Sequence, residues 1–262
     1  MSGILVQNIH KRFGAKTVLS QVSFELDQHK CLAILGRSGS GKSVLLKIIS
    51  GIMTPDRGHV RCFSNNVSMV FQNNALFDSM SVWQNLAFPL KERHGIVGQK
   101  AARSIEALLA AVELSGNEDK MPAALSGGMQ KRLAIARALA ARPDILLYDE
   151  PTAGLDPITS RIIAELIAKL QKDNGTTMVV VTSDVNRAVQ LGQDMALLIP
   201  SQGGGATMIG VGTAADLKSN QDPNVYQFVR GLQQGPLTIV ESKKIAVKNM
   251  QSAFEGIDRD PF

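Results

Sequence analysis

Apolar positions alternate in two rhythms along the chain. The first is that of strands. Ile4, Val6 and Ile9 form one stretch, Val18 to Leu26 another, and Cys31 to Leu35 is an unbroken apolar run, as in a strand covered on both faces. Gly36 to Ser43 is rich in Gly and Ser, and Val44 to Ile49 then predicts a short buried helix stopped at Gly51 and Pro55. His59 to Phe63 and Val67 to Phe71 read as two further strands.

From Asn74 to about Leu125 the rhythm turns helical, with Ile105, Leu108, Leu109 and Val112 at i, i+3, i+4 and i+7. Ser126 predicts the N-cap of a helix that runs to Arg142 and ends at Pro143. Ile145 to Tyr148 and Thr177 to Val181 are core strands flanking an amphipathic helix, Ile158 to Leu170. Asp194 to Ile199 and Ala206 to Val211 predict a hairpin across Ser-Gln-Gly-Gly-Gly. Buried strands alternating with helices call for a mainly parallel sheet with crossovers.

Composition narrows the class without naming it. Of 262 residues, 44% are hydrophobic and 19% charged, as in soluble globular proteins. No apolar run approaches the roughly 18 residues of a membrane span, and Met1-Ser2-Gly3-Ile4-Leu5 lacks the build of a signal peptide. A cytosolic chain is expected, held at any membrane by something else. Cys31 and Cys62 have no metal-ligand spacing and read as buried free thiols. The net charge of +5 is scattered and does not by itself point to nucleic acid, which is not expected as a partner.

The residues Gly36, Arg37, Ser38, Gly39, Ser40, Gly41, Lys42 and Ser43 fit the pattern G-x-x-x-x-G-K-[ST] between a predicted strand and a predicted helix. Glycines let the backbone turn so that successive N–H groups face a phosphate, and the helix start adds positive potential. Lys42 suits the outer phosphates, and the Ser43 hydroxyl suits Mg²⁺. About a hundred residues on, an apolar strand ends in two acids. Asp149 can order the water shell of Mg²⁺, and Glu150 can polarise an attacking water as general base. Between them Leu125-Ser126-Gly127-Gly128-Met129 places two glycines at another helix start, a second anion-binding geometry or a plain cap.

In this order the motifs resemble the ATP-binding cassette ATPases over nearly the whole chain. The resemblance implies an α/β fold: a P-loop NTPase core of ABC ATPase type, with an inserted helical subdomain (about 74–142) and a small antiparallel β arm. It implies that ATP and Mg²⁺ are bound and that ATP is hydrolysed. Ser126, Gly127 and Gly128 match the family signature, which caps ATP held by the opposite subunit of a homodimer. Gln72 resembles the Q-loop glutamine, which touches Mg²⁺ and links the site to a membrane partner. Asp156, after Gly154-Leu155, resembles the D-loop at the dimer seam. Phe13 stands where an aromatic stacks on adenine, and Val44 closes the phosphate loop's contact set.

The chain departs from the family pattern at three places. Ser183 occupies the position of the switch histidine, and all four histidines precede it. A shorter, uncharged side chain there would cost on the order of 2–4 kcal/mol of transition-state stabilisation, so slowed hydrolysis is expected. Lys42 to Gln72 spans only 30 residues, which predicts a trimmed arm between two sheets, and Met129 replaces a frequent glutamine.

Asn74 to Leu90 and the Leu-Ser-Gly-Gly-Met form are similar to ATPases of Mla-type phospholipid transport systems. That similarity implies integral-membrane permease subunits, a lipid-binding substrate subunit, and a place at the cytoplasmic face of the inner membrane. Leu76, Phe77, Met80, Val82, Trp83 and Phe88 are too apolar for a loop facing only water, and would suit a docking site for the permease. The ATPase domain is expected over 1–221 and a tail over 222–262, where Val225, Phe228, Val229 and Leu232 form a helical stripe. That stripe suits either a dimer contact or the chain's own body. The alternatives are an ABC ATPase of another small-molecule or ion transporter, a slowed regulatory subunit, and a soluble cassette protein of translation or repair.

Overall fold

A computed structural model describes residues 2–201 and 203–237. It contains two compact units, Met1–Lys218 and Ser219–Phe262. In the first, β1 (Ser2–Phe13), β2 (Lys16–Asp27), β3 (Cys31–Gly36) and α1 (Lys42–Ile49) come first. Next are β4 (Arg57–Cys62), β5 (Val67–Val70), α2 (Val82–His94), α3 (Gly98–Ala111) and α4 (Gly127–Ala140). Then follow β6 (Ile145–Asp149), α5 (Pro157–Asn174), β7 (Thr177–Thr182), α6 (Val185–Leu191), β8 (Asp194–Pro200), β9 (Ala206–Gly212) and α7 (Ala214–Ser219).

The strands form one sheet in the order β4-β1-β2-β9-β8-β3-β7-β6-β5. The run β8-β3-β7-β6-β5 is parallel, as the buried apolar runs require. The arm β4-β1-β2 is antiparallel. Two separate sheets were expected. Instead the arm joins the rest through a single parallel pair, Leu19 with Ala206, on the antiparallel β8-β9 hairpin. One residue pair of ladder leaves no periodic trace in a sequence.

Strand alternation sorts side chains between two cores. Ile145, Leu147, Val179 and Val181 pack on one face with Leu45 and Leu46 of α1 and with the arm. Leu146, Tyr148, Met178 and Val180 pack on the other, with helices α2 to α5. Each fully buried Leu or Ile contributes about 1.5–3 kcal/mol relative to exposure, so both layers clamp the sheet and fix the strand ends that carry chemistry. Cys31, within this sheet, is pushed up to about 12 by burial and stays a thiol. Cys62 is half-buried and also free.

Between β5 and α4 the expected helical subdomain contains α2 and α3, but Asn74 to Ser81 is a loop. Helix α2 starts only at Val82, on a capping box in which Ser81 and Gln84 satisfy each other's backbone amides. Asn85 is fully buried and knots the loop. Its Nδ2 donates to the carbonyls of Phe77, Met80 and Ser81, and its Oδ1 accepts from the Phe77 amide.

In the second unit α8 (Pro223–Arg230) is capped by Asp222. Its expected apolar stripe is buried only in part. Val225 and Gln227 are buried, Phe228 and Val229 are half-buried, and Leu232 is exposed. Gln227 replaces apolar packing with hydrogen bonds, Nε2 to the Leu232 carbonyl and Oε1 from the Leu237 amide. Positions 238–262 of the expected tail lie outside the described residues.

Candidate functional site

The phosphate loop joins the end of β3 to the start of α1, and its shape depends on Gly at two points. A Cβ on Gly36 would lie 2.6 Å from the Ser40 hydroxyl and 3.3 Å from Leu198. Gly41, the N-cap of α1, has φ 97°, which only glycine adopts without strain. No side chain caps α1, so its first amides stay directed into the loop. The Lys42 ammonium, 6% exposed, donates to the carbonyls of Gly36 (2.9 Å) and Arg37 (3.1 Å) and lies 3.2 Å from Glu150 Oε1.

The carboxylates sit across from it. Asp149 ends β6 and is buried, and its Oδ1 accepts from the Ser43 hydroxyl at 2.8 Å. Burial pushes its carboxyl above the usual range; the Ser43 bond opposes this, while the Glu150 charge adds to it. A desolvated carboxylate beside a hydroxyl is a hard-oxygen pair of the kind Mg²⁺ takes when substrate phosphates complete its shell. Glu150 has φ 46°, a strained conformation for a non-glycine residue. It is held there by its amide on the Val181 carbonyl (3.0 Å) and by Oε2, which accepts from the Ser183 amide (3.2 Å). Its two oxygens thus bridge the lysine that opens α1 and the backbone just after β7.

These groups line a cleft of about 500 Å³ together with Phe13, Val18, Val44 and Gln72. Ser38, Gly39, Gly41, Lys42, Ser43, Glu150 and Ser183 border it directly. Gly36, Arg37, Ser40 and Asp149 are not among the lining residues; Gly36 and Asp149 are buried at strand ends, and Arg37 is exposed. Phe13 is 48% exposed at the cleft's outer end, an open aromatic face of the kind a purine base stacks on. Four more expected site residues, Ser126, Gly127, Gly128 and Asp156, are not among those lining the cleft either. Ser126 and Gly127 are exposed at the start of α4, where Ser126 Oγ accepts from the Met129 amide at 3.3 Å, and Gly128 is half-buried beside them. Asp156 caps α5, its Oδ1 accepting from Ile158 and Thr159 amides at 3.0 Å. These bonds, first the contact with Thr159, hold its carboxyl below the usual range.

The sequence reading missed three residues around the site. Lys16 lines the cleft opposite Phe13 across the β1-β2 turn. Asn85 knots the loop after Gln72. Lys131, on α4, is 4% exposed and its Nζ donates to the Gln72 carbonyl at 2.5 Å. A lysine on the same helical stripe as Ala134, Ile135 and Ala138 is the signal that could have found it.

A glycine loop gripping a lysine at a parallel strand end, with a buried Asp–Ser pair and a poised glutamate, defines a P-loop ATPase. The chain belongs to the ABC transporter family, whose model matches residues 19–153. It is 35% identical over 239 residues to the intermembrane phospholipid transport system ATP-binding protein MlaF of Escherichia coli (strain K12), covering 86% of this chain and 87% of that one. It is 33% identical to the chloroplastic protein trigalactosyldiacylglycerol 3 of Arabidopsis thaliana, over 90% of this chain and 76% of that one. The ATP-binding cassette MJ0796, solved as a dimer in a post-hydrolysis state with ADP and Pi, superposes with a TM-score of 0.67 at 32% identity, over 74% of this chain and 93% of that one. The chain is therefore an ATP-binding subunit of the ABC ATPase class. Among the described residues no helix is long and apolar enough to cross a membrane.

Proposed function

We propose that this chain energises phospholipid movement between two membranes, working as a homodimer beneath permease subunits at the cytoplasmic face of the inner membrane. The observation that carries this reading is the 35% identity, sustained over 86% of the chain, with a protein named for intermembrane phospholipid transport. In this reading ATP lies with its base on Phe13 and its phosphates in the loop from Gly36 to Val44. Lys42 leaves Glu150 for the outer phosphates. Ser43, Asp149 and Gln72 would hold Mg²⁺, which when bound supplies neutralising charge on those phosphates. Glu150 takes the proton of the attacking water, the water oxygen bonds to the terminal phosphorus, and ADP leaves. Ser183 stands at the same strand end as an indirect contributor, through its amide on Glu150.

Ser126, Gly127, Gly128 and Asp156 serve the site of the second copy. Two features support that outward role: the exposure of Ser126 and Gly127, and Ile158, which is 74% exposed on the turn that Asp156 caps. The domain division at about residue 221 goes with this reading, with the tail from 222 as a contact to the second copy.

The permease surface is assigned to the groove behind Gln72. Of the six apolar residues expected there, Val82 is core and Leu76 and Trp83 pack against it. Phe77 and Phe88 meet edge to face at 5.1 Å and line a groove of about 400 Å³ with Ile52, Phe71 and Pro89. The experiment is recovery of the tagged chain from its native membranes, followed by reconstitution of what travels with it. ATP-dependent transfer of phospholipid between vesicles is the expected result. Co-purifying permeases that move only a water-soluble solute would sink the phospholipid assignment.

A further inference from the structure

Helix α4 does more than begin at the signature glycines, because it also grips the segment that carries Gln72. The Lys131 ammonium donates to the Gln72 carbonyl at 2.5 Å. One turn and a half along the same helix, Arg137 Nη1 donates to the Ala75 carbonyl at 2.6 Å, with its guanidinium 4.4 Å from the Phe77 ring centre. The segment between these grips is strained. Asn74 and Ala75 have φ 62° and 50°, adjacent left-handed residues that are not glycine. The Asn74 Oδ1 is buried and has no hydrogen-bond partner. A backbone in this state keeps its shape only while its surroundings impose it.

Lys131 is a poor choice for stability alone. Burial lowers its affinity for a proton, and the charge of Asp149 acts in the opposite sense. A desolvated ammonium is costly to bury, and an apolar residue of similar length at such a position is commonly neutral or stabilising. What a lysine provides here, and a methionine cannot, is a charged donor fixed on the carbonyl of a cleft residue.

We propose that Lys131 is a positioning residue for Gln72: it ties the strained segment after β5 to α4, so that movement at the start of α4 is transmitted to the cleft. The proposal rests on the reading of Gln72 as part of the hydrolytic site. It concerns how that glutamine is held, and Lys131 itself does not touch the reacting atoms. Displacements of about an ångström at a positioned group can cost up to about 100-fold in rate.

The test is steady-state hydrolysis of Mg-ATP by the full chain as wild type, Lys131→Met, Lys131→Arg, Gln72→Ala and the Gln72→Ala/Lys131→Met pair, with thermal melting of each. Lys131→Met is expected to lower kcat about 10- to 100-fold with KM within about twofold. Its melting temperature should be unchanged or raised. Lys131→Arg, which keeps a cationic donor, should restore kcat to within about threefold. In the Gln72→Ala background Lys131→Met should cost less than about twofold more, because its effect travels through that side chain.

Wild-type kcat in Lys131→Met, or the same loss in both backgrounds, overturns the proposal. A fall in activity that tracks a fall in melting temperature, unrescued by arginine, does so too, since it marks a purely structural lysine. Should Lys131→Met not accumulate folded, Lys131→Gln, polar but too short for the contact, carries the same comparison. Gln72→Ala with wild-type turnover would instead remove the role given to Gln72, a distinguishable failure.

Discussion

Helices α1 and α4 both begin at glycine-bearing turns, at Lys42 and Gly127, and they begin differently. The turn before α1 ends in a left-handed Gly41 with no side-chain cap, which leaves the first amides free. Its lysine is buried against Glu150, and its serine is bonded to Asp149. The start of α4 is capped by its own Ser126 and stands exposed, apart from the cleft residues. Both starts carry the positive end of a helix dipole. Only the first is surrounded, within one chain, by the groups proposed to bind, neutralise and activate. A helix start acquires a function from what faces it. For α4 we propose that this comes from a second copy of the chain; the cassette MJ0796, 33% identical to it, is solved as a dimer.

The largest expected effect falls on the first start. Glu150→Gln removes the proposed base while keeping size and hydrogen bonding. Turnover should drop between about 100- and 10,000-fold with ATP binding kept, and phosphate release measures it. ATP-loaded dimers of this variant should persist in gel filtration. Turnover equal to wild type would mean that another group takes the proton. Lys42→Ala should weaken nucleotide binding by about 100-fold in calorimetry, since it deletes a charge-assisted grip on the outer phosphates. Unchanged affinity would mean that the α1 start does not grip triphosphate at all.

Ser126→Glu acts on the second start and separates the two regions. A carboxylate there should leave the first nucleotide's affinity within about threefold. It should also abolish ATP-driven pairing and lower turnover about tenfold or more by repelling the partner's phosphate. Light scattering with and without ATP reads the pairing. Equal damage to binding in the isolated chain would erase the contrast drawn here.

The contrast also explains what the sequence disclosed. The parallel strands were legible because both faces are covered, so Cys31 to Leu35 and Ile145 to Tyr148 are apolar without interruption. The phosphate loop was legible because its glycines and lysine stand at fixed spacing between an apolar strand and a helix. The loop from Asn74 to Ser81 was not. Its apolar residues imitate helical periodicity while Asn85, a polar residue inside the core, ties it down. Lys131 was hidden for a similar reason, because a lysine in a helix usually marks the solvated face. The left-handed Glu150 follows from the meeting of β6 and β7, a tertiary constraint that local propensity does not carry.

The smallest expected effect is also the one that bears most on rate control. Ser183 closes β7 inside the cleft, and it reaches Glu150 through its backbone amide rather than its side chain. That amide is kept in Ser183→His, so this replacement leaves the clamp on Glu150 intact. The side chain is exposed, which leaves room for a larger group without displacing neighbours. An imidazole at this position would add an oriented donor toward the terminal phosphate, one that a serine hydroxyl is too short to supply directly. Oriented donors of this type are worth about 3 kcal/mol in the transition state where fully aligned, and partial alignment still leaves about a tenfold gain. Ser183→His should therefore raise kcat about tenfold with KM nearly unchanged, because the added contact strengthens as charge moves onto the phosphate. A histidine variant as slow as wild type, or slower, would show that turnover is limited elsewhere, by the pairing of α4 with its partner rather than by chemistry at α1.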